Sequence, residues 1–141
     1  MMNNDPTLCI AAMDDAELEQ LLSLFAEAEV TVSQPPRTGL LMMRLQDSFA
    51  TELNLGEVLV TEVRVRYRQS EGYAMVTGEG PRRALARALA DAVLRCSEAE
   101  SVREKMLTLL GRETARQEAE MKKEVALIAA TRVNFDLMPG A

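Results

Sequence analysis

The chain contains no histidine and no tryptophan, and its 141 residues include only three Phe, two Tyr and two Cys. Each shortage excludes something. Without an imidazole there is no His general acid or base, no Ser-His-Asp triad and no His-ligated metal. Cys9 and Cys96 lie far apart and form no Cys-x-x-Cys spacing, so they read as reduced thiols of a cytosolic protein rather than as a metal or redox motif. No apolar run approaches the ~18 residues of a membrane span, and Met1–Thr7 has neither a basic n-region nor a cleavage signal. The expectation is a cytoplasmic protein that binds no membrane. With so few aromatics, the core must be made from Leu, Val, Ala and Met.

What remains is ordinary in bulk: 48% hydrophobic and 27% charged residues, the mix of a folded globular chain rather than a disordered one. The length fits one domain over residues 1–141, large enough to bury a core. Charge is distributed unevenly. Residues 1–62 carry 2 basic and 11 acidic side chains, and residues 63–141 carry 14 and 11. A sequence pI of about 4.8 argues against nucleic acid as a partner, because phosphate neutralisation dominates that affinity. The basic excess of the second half leaves room for a local anion site or a charged partner surface.

Periodicity gives a coarse map. Asp5-Pro6 opens a short helix with Leu8, Ala11 and Ala12 on one face. Asp14 or Asp15 caps a second helix, with Leu18, Leu21, Leu22 and Phe25 at helical spacing, ending near Glu29. Val30–Val32 reads as a short strand stopped by Gln34-Pro35-Pro36, Thr38–Leu45 as a second strand, and Asp47–Asn54 as a connection. Glu57–Arg68 is the clearest strand. Gln69–Gly72 is a turn, and Tyr73–Gly78 returns as its hairpin partner. Gly80-Pro81 starts a helix with Leu85, Ala88, Leu89, Ala92, Val93 and Cys96 in one stripe. Ser101 followed by Glu104 has the form of a capping box and restarts a helix through Met106, Leu109, Leu110, Met121, Val125 and Ile128. The predicted fold class is α+β: an antiparallel sheet of about four strands with N-terminal helices and two long C-terminal helices.

Unbroken, the last helix would run about 46 Å over Ser101–Thr131, against a diameter near 37 Å, about that of a compact domain this long. It must break or project. The expectation is a break at Gly111, together with a partner that covers the apolar face.

Candidate chemistry centres on arginine. Arg64, Arg66 and Arg68 alternate with Val63, Val65 and Tyr67, which puts three guanidinium groups on one sheet face. They suit a phosphorylated ligand or a partner's acidic patch, and equally a solvated face kept charged against aggregation. Arg82 and Arg83, in the first turn of the Pro81 helix, could add to an anion site there, although the segment has no Gly-Lys-Ser/Thr of a P-loop. Glu113, Glu118 and Glu120 read as surface ion-pairing residues. Met42, Met43, Met106 and Met121 read as core filler, or else as an adaptable contact surface. No nucleophile–base pair and no metal set is visible, so no catalytic residue is assigned. The aperiodic end, Arg132, Val133, Asn134, Phe135, Asp136, Leu137 and Met138, reads as a docking segment whose apolar side chains need a surface.

Four segments carry a family resemblance: Thr38-Gly39-Leu40; Leu55-Gly56-Glu57-Val58-Leu59-Val60-Thr61-Glu62; Gly72-Tyr73-Ala74-Met75-Val76-Thr77-Gly78; and Ala130-Thr131-Arg132-Val133-Asn134-Phe135-Asp136-Leu137-Met138. In order and spacing, from about Leu8 to Met138, the chain resembles the PhnG family, a small subunit of the bacterial carbon–phosphorus lyase system for phosphonate breakdown. The resemblance implies a core complex with PhnH, PhnI and PhnJ, and assistance from PhnL. In that complex methylphosphonate displaces adenine from ATP, giving α-D-ribose 1-methylphosphonate 5-triphosphate. PhnI is regarded as the catalytic member, and PhnJ as the user of an iron–sulfur cluster and S-adenosylmethionine. It implies no cofactor bound by this chain and no catalysis by it alone. Members often carry Gly-Arg and then His-Ala-Glu after the hairpin, where this chain has Gly78-Glu79 and Arg83-Ala84-Leu85, so no role of that imidazole or carboxylate transfers. The alternative reading is a self-standing homo-oligomer that binds a small phosphorylated molecule through the arginine strand.

Overall fold

A computed structural model describes residues 4–132. The described residues form three strands, β1 (Val30–Gln46), β2 (Glu52–Tyr67) and β3 (Ser70–Thr77), and three α-helices, α1 (Asp15–Ser23), α2 (Pro81–Arg95) and α3 (Glu100–Ala130), with short 3-10 turns at Leu8–Ala12 and Glu27–Glu29. The sheet is antiparallel in the order β1-β2-β3. It has three strands rather than about four, because the two expected strands Val30–Val32 and Thr38–Leu45 are one. Pro35 and Pro36 do not end it. They sit on an edge strand, at register shifts between Val32 and Gln34 and between Gln34 and Arg37, where a missing N–H breaks no ladder that the sheet requires. The expected connection Asp47–Asn54 is shorter than read, since β2 already begins at Glu52 and only Asp47–Thr51 join the strands. Asp47 folds the turn alone, its carboxylate accepting from the N–H groups of Phe49 and Thr51 at 2.9 Å each, and Ala50 takes φ 61°.

Helix α2 is the centre of the molecule. Ala84, Ala86, Ala88, Leu89, Ala90, Ala92 and Val93 are all buried, so the single stripe read from the sequence is really two sides. One side lies on Val63, Val65 and Tyr67 of β2 and on Ala74 and Val76 of β3; the other meets the N-terminal segment and α3. Five alanines keep the helix thin enough to fit. At Gly72 the approach is closest: a Cβ there would overlap the Ala88 carbonyl oxygen and stand 2.8 Å from the Ala92 Cβ. Tyr67 is wholly buried, meets Phe25 edge-on at 5.8 Å between ring centres, and places its hydroxyl 2.6 Å from Glu29 Oε2, which satisfies the polar end.

The N-terminus is wound more tightly than expected. Over Leu8–Ala12 the turn is 3-10, so Thr7, Ile10 and Met13 point inward at a three-residue period, while Leu8, Ala11 and Ala12 face out. Helix α1 starts as read, on a complete capping box between Asp14 and Glu17, but stops at Ser23, and Phe25 reaches the core from the connection that follows. Helix α3 ignores the Ser101–Glu104 box. Its N-cap is Ala99, buried in the core, and the Arg103 N–H bonds the Ala99 carbonyl at 2.8 Å, so packing starts the helix before the box could.

Helix α3 is unbroken over 31 residues. Gly111 costs roughly 1 kcal/mol relative to alanine, too little to break a helix whose Met106, Leu110 and Glu113 are packed on both sides of it. The helix therefore resolves its length by projecting: every residue from Glu118 to Ala130 is exposed.

Candidate functional site

The expected arginine row is divided by the turn that follows it. Strand β2 ends at Tyr67, and Arg68 has φ 53°, which swings its side chain away from the sheet face to Glu29 (3.2 Å) and the Glu98 carbonyl (2.5 Å). Arg66 remains on the open face, paired with Glu71 at 2.9 Å. Arg64 lies over the Tyr73 ring at 5.0 Å and, among the described residues, meets no carboxylate within ion-pair distance. Arg64 also lines a shallow depression of about 270 Å³ with Ser33, Glu71, Tyr73, Asp91 and Arg95. Asp91 pairs with Arg95 and accepts the Tyr73 N–H, both at 3.1 Å. Carboxylates and guanidinium groups share this wall, so it is close to charge-balanced.

The helix-start arginines are placed apart. Arg82 reaches Glu19 at 3.0 Å across the surface. Arg83 donates to the carbonyls of Ile10 (3.1 Å) and Met13 (2.5 Å), tying the N-terminal turn to α2. Of the expected tail, Arg132 stands exposed just past the end of α3, and Val133–Met138 lie outside the described residues.

Two polar clusters were not among the sequence expectations. On the open sheet face Glu62 gathers Arg37 (2.6 Å), the Tyr73 hydroxyl (2.8 Å) and Gln34 Nε2 (3.3 Å), and these donors, Tyr73 first, hold its carboxyl below the usual range. The other cluster lies where α3 leaves the body. Glu113, expected on the surface, is buried there. Its carboxylate takes Arg116 at 2.5 Å and 3.1 Å and Gln117 at 3.0 Å, while the same guanidinium reaches Glu17 of α1 at 3.2 Å. The bond to Arg116 is the main reason the Glu113 carboxyl is held below its ordinary value. The signal was available, since Glu113 follows Met106 and Leu110 at i+7 and i+3.

The third feature is apolar surface. Where β3 stops, β1 and β2 continue as a two-stranded ribbon from Leu40 to Leu59. It exposes Leu40, Leu41, Met42, Met43, Leu45, Leu53, Leu55 and Leu59, with Phe49 88% exposed at the tip. The projecting part of α3 exposes Met121, Val125, Leu127 and Ile128. Of the four methionines read as core filler only Met106 is buried, and Met42, Met43 and Met121 lie on these projections. Such an area on a chain of this size marks a surface for association.

The same inventory yields little reactivity. Burial pushes the Cys9 thiol up, away from the thiolate a nucleophile requires. Among the described residues no group of three His, Cys, Asp or Glu side chains is placed to hold a metal ion, and no helix is long and apolar enough to cross a membrane. The chemistry the arrangement supports is binding.

The comparisons agree with the resemblance. A family model described as "Phosphonate metabolism protein PhnG" matches residues 4–140, nearly the whole chain. No curated protein matches the chain.

Proposed function

This chain belongs to the PhnG family of phosphonate metabolism, and from that premise we propose that it is a structural subunit of a carbon–phosphorus lyase core complex. Its partners in this reading are PhnI, PhnH and PhnJ, with PhnL assisting. The complex makes α-D-ribose 1-methylphosphonate 5-triphosphate from ATP and methylphosphonate, releasing adenine, in the cytoplasm. The chain itself binds no cofactor; an iron–sulfur cluster and S-adenosylmethionine belong to partners. The observation that supports the reading is the contrast between a body that closes its own core and two projections whose apolar side chains nothing in the described residues covers. A solitary protein would be penalised for that surface; a subunit needs it.

Its contribution to catalysis is to hold partners in place. The open sheet face, with Arg64 stacked on Tyr73 and Arg66 beside it, is the part of the body offered to a partner's acidic patch or to the anionic substrate. Co-expression with PhnI, PhnH and PhnJ should yield one stable complex that releases adenine from ATP in the presence of methylphosphonate. The isolated chain should release none. Adenine release by the chain alone, abolished by Arg64→Ala, would overturn the assignment.

A further inference from the structure

The two sides of the ribbon differ in chemistry. On the side that continues the α2-facing row, Leu40 and Leu59 give way to Glu57 opposite Met42, Arg44 opposite Asn54 and Gln46 opposite Glu52. Polar groups run to the tip there. On the other side every pair is apolar: Val60 opposite Gly39, Val58 opposite Leu41, Gly56 opposite Met43 and Leu53 opposite Leu45. The charged row of the body ends just before these pairs, at Arg37 and Glu62, which lie 2.6 Å apart and neutralise one another. Leu41, Met43, Leu45 and Leu53 are 45%, 42%, 51% and 50% exposed. Gly39 leaves a hollow of about 370 Å³ beside Leu41, Val60, Glu62 and Met75, and nothing lies within 4 Å of where its Cβ would stand.

We propose that this apolar side pairs with the same side of a second copy of the chain, about a twofold axis crossing the strands at Leu41 and Val58. Such an axis lays each strand antiparallel on its counterpart and exchanges the pairs on either side of it. Met43 of one copy then enters the hollow at Gly39 of the other, and Val60 meets Gly56. Leu41 and Val58 meet their own counterparts. Large side chains are set against glycines on both flanks, which fills the ~10 Å between two sheets packed face to face. That order of sizes is symmetric about one pair of residues, and only a second copy makes use of the symmetry. Charge agrees. Leu45 and Leu53 come over Arg37 and Glu62, whose charges are already balanced, so no unpaired ion is buried. A twofold along the strands would instead stack the charged open faces of the two bodies, with Arg64 and Arg66 on each. The apolar side chains offer about 400 Å² per copy, and with their rim two copies bury about 1000 Å², the lower bound of a specific interface. That size predicts a micromolar dimer. The pairing goes beyond the complex-subunit reading and does not depend on it, since it uses neither α3 nor Arg64 and Arg66.

Sedimentation equilibrium of the isolated full chain should show a dimer at micromolar concentration. Met43→Glu, on the paired side, should weaken it at least tenfold, and Leu40→Glu, on the other side, should leave it unchanged. Gly39→Leu fills the hollow from within and should also weaken the dimer at least tenfold; it decides the matter if Met43→Glu fails to fold. Both native cysteines are buried, so an introduced thiol reports on the contact. A short bismaleimide should join Leu41→Cys to its counterpart and should leave Leu40→Cys unjoined. A monomer at those concentrations overturns the pairing and leaves the subunit reading standing. So does a dimer that survives Gly39→Leu, or one that cross-links at position 40 as readily as at position 41. Failure of the chain to assemble with PhnI, PhnH and PhnJ would end the subunit reading alone, because the pairing is measured without them.

Discussion

Along β2, Val63, Val65 and Tyr67 are buried to within 1%, whereas Leu53, Leu55 and Leu59 of the same strand are 50%, 59% and 42% exposed. Helix α3 repeats the contrast: Met106 and Leu110 are fully buried and, five turns on, Val125 and Ile128 are 60% and 68% exposed. Side chains of one kind, in one continuous element, thus meet opposite fates. Hydrophobic content therefore does not locate a core; what decides is whether another element lies alongside, α2 over β2, and the N-terminal turn together with α2 over α3. Within that cover the apolar residues stabilise this chain, and beyond it they stay exposed.

Paired substitutions put that contrast at risk. On α3, Leu110→Ala should cost the isolated chain about 3 kcal/mol, as large-to-small changes in a closed core do. Val125→Ala should stay within about 0.5 kcal/mol. Denaturant unfolding measures both, and equal effects would abolish the distinction between body and projection.

Glycine gives a second pair. At Gly72 a methyl group has no space between β3 and α2, and Gly72→Ala should cost about 2–3 kcal/mol. At Gly39, where the ribbon leaves the sheet, nothing lies within 4 Å of the same methyl group, and Gly39→Ala should change stability by less than about 0.5 kcal/mol. Matching midpoints for the two variants would mean that the close approach of α2 to the sheet is not a constraint.

The smallest effect sharpens the boundary itself. Glu113 sits where α3 leaves the body, and Arg116 holds its carboxyl below the ordinary 4.5. A folded-state value lower than the unfolded one gives stability that is present above the unfolded value and lost as pH falls through the folded one. Below pH 4.5, therefore, the native chain should lose stability more steeply than Glu113→Gln. Parallel pH profiles would show that the clasp between α1 and α3 carries no such linkage.

How much of this was legible beforehand varies by element. Asp14 and Glu17 announced the start of α1, because a capping box is a local device that the neighbouring backbone alone must satisfy. Ser101 and Glu104 spell the same device and were overruled, since Ala99 is drawn into the core and begins the helix first. Pro35-Pro36 looked like a terminator, and only the edge position of β1 makes it harmless. Arg64, Arg66 and Arg68 alternate in sequence, yet a positive φ at Arg68 removes the third from the face. Glu113 was assigned to the surface because its spacing to Arg116 suits an exposed pair, and the approach of Glu17 and the N-terminal turn buried it.

By itself the sequence determined the class of fold, the family, the length conflict in the last helix and the absence of histidine chemistry. These follow from composition, local periodicity and motif, which are properties of neighbouring residues. Only the tertiary structure decided which stretches of β2 and α3 are core and which are contact surface. Burial depends on what packs alongside: α2, thinned by alanine, covers one part of β2, α2 and the N-terminal turn cover one part of α3, and the rest of each element stays exposed.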